Sequence, residues 1–169
     1  MLVRQATVED LSQMTSLIHA TSKKLIEKNV YQWASPCELD ELESQIKKGE
    51  VYILEDHNRL IGSFSIKPIH KKFPVQMEDG LYVYRMLIHP FYHGKNMTGH
   101  MFKYLRKEYK KKPVLLDCWA GNEKLSEFYI NNHCMHIGDF PDADYKISIF
   151  QVSKKGQIKK DRYGNFKKY

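Results

Sequence analysis

The chain has 169 residues, 42% of them hydrophobic and 12% aromatic, which suits one domain with a proper core. Charged residues make up 28%, an ordinary globular share, and no apolar run approaches the roughly 18 residues of a membrane span, which excludes a helical membrane protein. The net charge is +7, but residues 154–169 hold seven basic residues against one acidic, leaving residues 1–153 at only +1.

Three cysteines (Cys37, Cys118, Cys134) form no CxxC, and their odd number argues against a disulfide framework. No cleavable hydrophobic stretch opens the chain, so the expectation is a reduced, cytoplasmic protein with no membrane contact.

Residues 3–6 read as a short strand. Thr7 then starts a helix with Asp10 three positions on, an approximate capping box, and Leu11, Met14, Ile18 and Leu25 form its apolar stripe. Residues 29–36 read as a loop closed by Pro36. A second helix carries Leu39, Leu42 and Ile46 on one face and stops at Gly49. Residues 51–55 and 60–67 form a hairpin around a polar turn. A loop containing Pro68 and Pro74 leads to residues 81–88, the longest β-rich run, which Pro90 ends.

A helix with Met97, Met101, Phe102 and Leu105 follows Gly94, runs to about Tyr109 and is stopped by Pro113. Residues 114–119 form a strand and residues 122–132 a short helix. Two last strands, near 135–138 and 145–152, are joined by a turn around Pro141 to Asp144. With no repeat and no interdomain linker, this predicts one mixed α/β domain over residues 1–153 and a basic tail over residues 154–169. Such a tail is a candidate nucleic-acid contact and is more often a solvated end.

The informative unit is the strand–helix–strand from Leu81 to Trp119, whose strands the helical crossover makes parallel. At its first junction stands His93-Gly94-Lys95-Asn96-Met97-Thr98-Gly99. Small, flexible residues at a helix N-terminus expose backbone N–H groups that suit a diphosphate, with Lys95 adding charge. The segment is neither GxxxxGK[ST] nor GxGxxG, so a P-loop and a dinucleotide fold are excluded.

Met86-Leu87-Ile88-His89-Pro90 followed by residues 91–99, and later Asn122 to Phe128-Tyr129, resemble the GNAT superfamily of acyl-CoA N-acyltransferases. Members typically read L-x-V-x-P-x-x-[RQ]-G-x-G-x-[GA], followed later by an Asn and an F-Y pair. Gln32-Trp33 and residues 48–52 look like a bacterial subset of that superfamily. Here His93 stands where Arg or Gln is usual, Asn96 replaces a glycine, and Thr98 replaces Gly or Ala.

The resemblance implies a central, mostly antiparallel mixed sheet, splayed between its fourth and fifth strands and flanked by about four helices. It implies acetyl-CoA as co-substrate, with pantetheine along Met86, Leu87 and Ile88 and the pyrophosphate on His93, Gly94, Lys95, Asn96, Met97, Thr98 and Gly99. Asn122 would hold the pantetheine arm or order the site, and Tyr129 would protonate the departing thiolate. A phenol with pKa near 10 is matched to that task.

The amine must lose a proton before it attacks, and Glu55, Glu78, Asp79, His70 and Asp117 are all candidates for the base. Trp33, Tyr82 and Tyr84 are candidates to line the acceptor pocket. The acceptor is a small-molecule or protein amine, and an exposed strand edge admits a monomer or a homodimer.

No metal is expected. His133-Cys134-Met135-His136 lacks paired ligand spacing, and Pro90 breaks any helix between His89 and His93. Cys118, inside a predicted strand, reads as a core residue. The reading from another class is a non-catalytic acyl-CoA binder, or a nucleic-acid module acting through the tail.

Overall fold

The computed structural model describes residues 1–27, 39–153, 158–160 and 166–168. In chain order these form β1 (Leu2–Gln5), a 3-10 turn (Val8–Asp10), α1 (Leu11–Ile26), α2 (Leu39–Lys47), β2 (Val51–Asp56), β3 (Arg59–Pro68) and β4 (Leu81–Ile88). A second 3-10 turn (Pro90–Tyr92), α3 (Thr98–Glu108), β5 (Val114–Trp119), α4 (Glu123–Asn131), β6 (Cys134–Asp142) and β7 (Tyr145–Val152) follow.

Seven strands lie in the neighbour order β1-β2-β3-β4-β5-β7-β6. β2 pairs antiparallel with β1 and β3, and β7 pairs antiparallel with β5 and β6. The parallel pair is β4 with β5, as their helical crossover requires. The chain therefore has the mixed, mostly antiparallel α/β sheet that its sequence predicts, with four α-helices among the described residues.

The chain groups into two compact units, Met1–Ile66 with Tyr84–Met101, and Lys67–Val83 with Phe102–Tyr169. The first unit buries Ala6, Met14, Leu17, Ile18, Leu42, Ile46, Val51, Ile53 and Leu87 in one cluster. Met14, Leu17, Ile18 and Thr21 are three and four residues apart on α1, so one stripe of the helix faces this core. Between β2 and β3 both turn residues are left-handed, His57 at φ 47° and Asn58 at φ 60°, the conformation of a two-residue hairpin that matches strand twist.

In the second unit Phe73, Leu115, Ile147 and Ile149 form the buried cluster, with Tyr82 and Phe140 packed against it. Phe102, Phe128 and Phe150 surround the Tyr129 ring at centroid distances of 6.5, 5.9 and 5.3 Å.

Several expectations need correction. Thr7 is the N-cap with the expected Asp10 capping box, the Asp10 carboxylate accepting the Thr7 N–H at 2.8 Å, but the first turn is 3-10 and the α-helix follows from Leu11. Leu39 is exposed, since α2 places only Leu42 and Ile46 in the core. β6 runs on through Asp142, so the turn narrows to Ala143 and Asp144, with Ala143 at φ 52°. Pro141 is tolerated there because β6 is an edge strand. Within residues 154–169 an antiparallel ribbon pairs β8 (Ile158–Lys160) with β9 (Phe166–Lys168). The predicted loop over residues 29–36, Trp33 within it and Cys37 lie outside the described residues.

Candidate active site

In the first unit the site begins on β4. Its pairing with β5 covers only Leu81 opposite Val114 and Tyr82 opposite Leu115. Three residues further on, Arg85 is left-handed at φ 51°. Beyond that kink come Met86, Leu87 and Ile88, with Leu87 buried and its two neighbours half-buried. The backbone there is closely approached from β3: a Cβ on Gly62 would meet the Leu87 carbonyl and stand 2.7 Å from Ile88 Cδ1 and 2.9 Å from Met101 Cε. Only glycine fits at that position of β3.

Pro90 then starts a 3-10 turn whose N-cap, His89, accepts the Phe91 N–H on Nδ1 at 3.3 Å. His93, which stands where the family pattern has Arg or Gln, donates from Nε2 to the Ile88 carbonyl at 2.8 Å. That bond folds the loop back on the end of β4. Gly94 (φ 77°) and Asn96 (φ 53°) are both left-handed, so Asn96 adopts the conformation that a glycine would supply. Gly99 leaves room for the Asn96 amide, since a Cβ there would stand 3.1 Å from Oδ1.

Within the loop the N–H groups of His93, Lys95 and Gly99 bond to the carbonyls of Pro90, Tyr92 and Asn96. Those of Gly94, Asn96, Met97 and Thr98 find no acceptor among the described residues. Free N–H groups at the start of the 11-residue α3 attract an anion through their partial charge and the helix dipole. A Cβ at Gly94 would meet nothing within 4 Å, so the loop is open to solvent there. The Lys95 ammonium lies 4.3 Å above the Phe91 ring and 5.4 Å from that of Tyr92, a cation held beside the loop. The residues present thus fit a diphosphate.

In the second unit Asn122 is the N-cap of α4, and its Oδ1 accepts the Leu125 N–H at 3.1 Å. Its observed task is to start the helix that carries Tyr129. The Tyr129 ring is buried, and its hydroxyl donates to the Asp117 backbone carbonyl at 3.4 Å, a long bond for a hydroxyl. Burial, aided by the charges of Cys118 and Asp117, pushes the phenol well above its ordinary value. The match between a free phenol and a free thiol is therefore not the operative one.

Asp117 also distinguishes itself among the five candidate bases. It is half-buried on β5, and Oδ1 accepts the Tyr82 hydroxyl at 3.0 Å. Burial raises its carboxyl, Tyr82 works against that shift, and the charge of Asp142 adds to it. Glu55 is paired with Arg4 at 3.0 Å, and His70, Glu78 and Asp79 are exposed. Tyr82 thus lies against a carboxylate, while Tyr84 belongs to the other unit and donates to Glu50 Oε2 at 2.7 Å. Cys118 is buried, with Sγ 3.5 Å from the Ser126 hydroxyl. Among the described residues no group of three or more His, Cys, Asp or Glu could hold a metal ion.

This architecture recurs in solved structures. An acetyltransferase of the GNAT family from Listeria monocytogenes is 21% identical, with 89% of this chain and 94% of that one covered and a TM-score of 0.73. A GNAT-family acetyltransferase from Streptococcus agalactiae superposes with a TM-score of 0.78 at 15% identity, over 91% of this chain and 95% of that one. The chain has the GNAT acetyltransferase fold. A PaiA N-acetyltransferase from Thermoplasma acidophilum, solved in complex with coenzyme A, is 17% identical over 89% of this chain and 98% of that one, with a TM-score of 0.65. No family model and no curated protein matches the sequence. The GNAT fold is thus carried by element order and packing, at a level of identity that leaves the chemistry to be argued from the side chains.

Proposed function

We propose that the protein transfers an acetyl group from acetyl-CoA to a primary amine, by direct attack of the amine in a ternary complex. The observation that carries this reading is the loop over residues 93–99, where Gly94 and Asn96 are left-handed and four N–H groups at the head of α3 have no acceptor among the described residues. Asn96 in the left-handed conformation speaks against a degenerate loop, because the main departure from the family pattern keeps the backbone geometry. The Thermoplasma structure solved with coenzyme A supports the same donor for this chain.

Under this reading, the loop and Lys95 hold the diphosphate and Met86 to Ile88 orient the pantetheine arm. When bound, the thioester supplies the acyl group, with coenzyme A as leaving group. Asp117 accepts the proton of the incoming ammonium, so that a neutral amine is presented. Tyr129 keeps its proton at every working pH and has it ready at Oη for the sulfur. Tyr82 holds the Asp117 carboxylate in place and lines the acceptor side. The acceptor class spans amino acids, polyamines, antibiotics and protein amines. In this reading residues 1–153 are the transferase domain and residues 154–169 its basic C-terminal tail.

Isothermal titration with acetyl-CoA tests the reading, comparing wild type with a Gly94→Val, Asn96→Ile variant whose loop cannot hold positive φ. Saturable binding by wild type that the variant lacks is the expected result. An absence of binding by wild type overturns the reading.

A further inference from the structure

Seven non-glycine residues have positive φ among the described residues, and six of them (His57, Asn58, Asp79, Asn96, His133, Ala143) lie in turns. Arg85 is the one inside a strand. A left-handed residue other than glycine is strained and persists only where its surroundings hold it. Neither glycine nor asparagine occupies this position, so the conformation is held by its surroundings, and the Arg85 side chain is placed to supply that hold.

The guanidinium is that hold. Its side chain is 15% exposed, and Nη1 donates to Gln45 Oε1 at 2.7 Å while Nη2 lies 3.6 Å from Glu41 Oε1. Gln45 Nε2 donates in turn to Glu41 Oε1 at 2.7 Å, which fixes the amide so that its oxygen faces Arg85. Glu41 and Gln45 are one helical turn apart on α2, so both meet the same fork. The Tyr84 ring, 5.7 Å from the guanidinium carbon, is anchored by its own bond to Glu50. Leu42 and Ile46 of α2 share a buried cluster with Leu87. α2 therefore holds β4 at Arg85 and again just beyond the kink at Leu87.

We propose that Arg85 is a positioning residue for the acyl donor: the Glu41–Gln45–Arg85 chain holds the kink in β4 and so sets the backbone of Met86 to Ile88 for coenzyme A. This rests on the transferase reading. If the chain is broken, Arg85 relaxes towards extended backbone, and the three residues after it lose their pre-set orientation. Donor affinity then falls without any change in a group that touches the donor.

Titration with coenzyme A of wild type, Gln45→Leu and Gln45→Glu tests this, with thermal melting of each. Gln45→Leu removes the acceptor of the Arg85 bond at nearly constant volume, and Gln45→Glu restores an acceptor. The expectation is a Kd at least about fivefold weaker in Gln45→Leu, the low end of ordinary coupling, and recovery in Gln45→Glu. A merely structural role would shift the melting temperature of Gln45→Leu and leave the affinity of its folded fraction alone. Should Gln45→Leu not fold, Arg85→Lys, which keeps the charge and loses the fork, takes its place. Unchanged affinity in the folded variant overturns the inference while the donor site stands. No binding by wild type overturns the donor site and the inference together.

Discussion

The Tyr82 hydroxyl donates to Asp117 Oδ1 at 3.0 Å, placing a half-buried carboxylate against a residue of β4. The contact follows from register: Tyr82 is opposite Leu115, and Asp117, two residues on, shares the face of β5 on which Leu115 lies. Tyr129 donates to the backbone carbonyl of the same aspartate. One residue thus meets both the proposed acceptor side and the proposed acid.

The proton balance of that aspartate sets a pH profile. A base works only when ionised, and burial lifts Asp117 above the usual aspartate range near 3.9. The acidic limb of kcat/KM is therefore expected at higher pH than a free aspartate would give. Tyr82 opposes the shift, so Tyr82→Phe moves that limb higher still. Asp117→Asn lowers kcat/KM by about 10²–10⁴ and abolishes the limb. A profile unchanged in Asp117→Asn would assign the base elsewhere.

Tyr129→Phe separates chemistry from binding. The ring is packed among Phe102, Phe128 and Phe150, and phenylalanine fills the same space. Coenzyme A affinity and melting temperature should hold while kcat drops by about 10²-fold or more, as expected for a lost proton donor. Equal turnover by the variant would remove Tyr129 from the mechanism.

Stability at acid pH is tied to Asp10. Its carboxylate takes both Arg4 nitrogens, at 2.7 and 2.9 Å, and the Thr7 N–H at 2.8 Å. The Arg4 bond in the first place, with the Thr7 N–H, holds its carboxyl below the usual value against the opposing effect of burial. A depressed carboxyl stabilises the fold above its unfolded pKa, and that contribution is lost as pH falls towards the folded one. Asp10→Asn should cost about 1–2 kcal/mol at pH 7, since Arg4 is partly solvated. Urea melts of variant and wild type should converge as pH drops below about 4.

Gly62→Ala probes the packing under the donor strand. A methyl there collides with Leu87 and Ile88 on β4 and with Met101 on α3. Overpacking of this kind costs about 1–3 kcal/mol. The variant should melt lower and bind coenzyme A more weakly, because the strain falls on the residues proposed to orient pantetheine. Wild-type affinity in Gly62→Ala would show that those residues can shift freely.

Much of the fold was legible because its signals are local. β4 and β5 begin and end where the sequence places them, since Gly80, Pro90 and Pro113 punctuate runs that are otherwise β-rich. α3 follows from apolar periodicity, and α4 lies within the short helix expected over residues 122–132, while the capping role of Asn122 became visible only in the structure. The far end of β6 was not legible, because Pro141 reads as a breaker and only its place on an edge strand makes it tolerable.

The site divides in the same way. The loop over residues 93–99 could be found from glycine spacing and from the start of a helix, both properties of a few consecutive residues. Which of the five candidate bases stands beside Tyr82 could not, because that pairing depends on a register between strands over 30 residues apart in the chain. No sequence signal marks Arg85 as left-handed, since arginine has no preference for that conformation and its restraint comes from α2. By itself the sequence determined the element order and most boundaries, and it singled out the loop over residues 93–99 and Tyr129 as candidates. Only the tertiary structure decided which carboxylate is desolvated and which strand is held kinked, because burial and restraint are imposed by neighbours that come together only on folding.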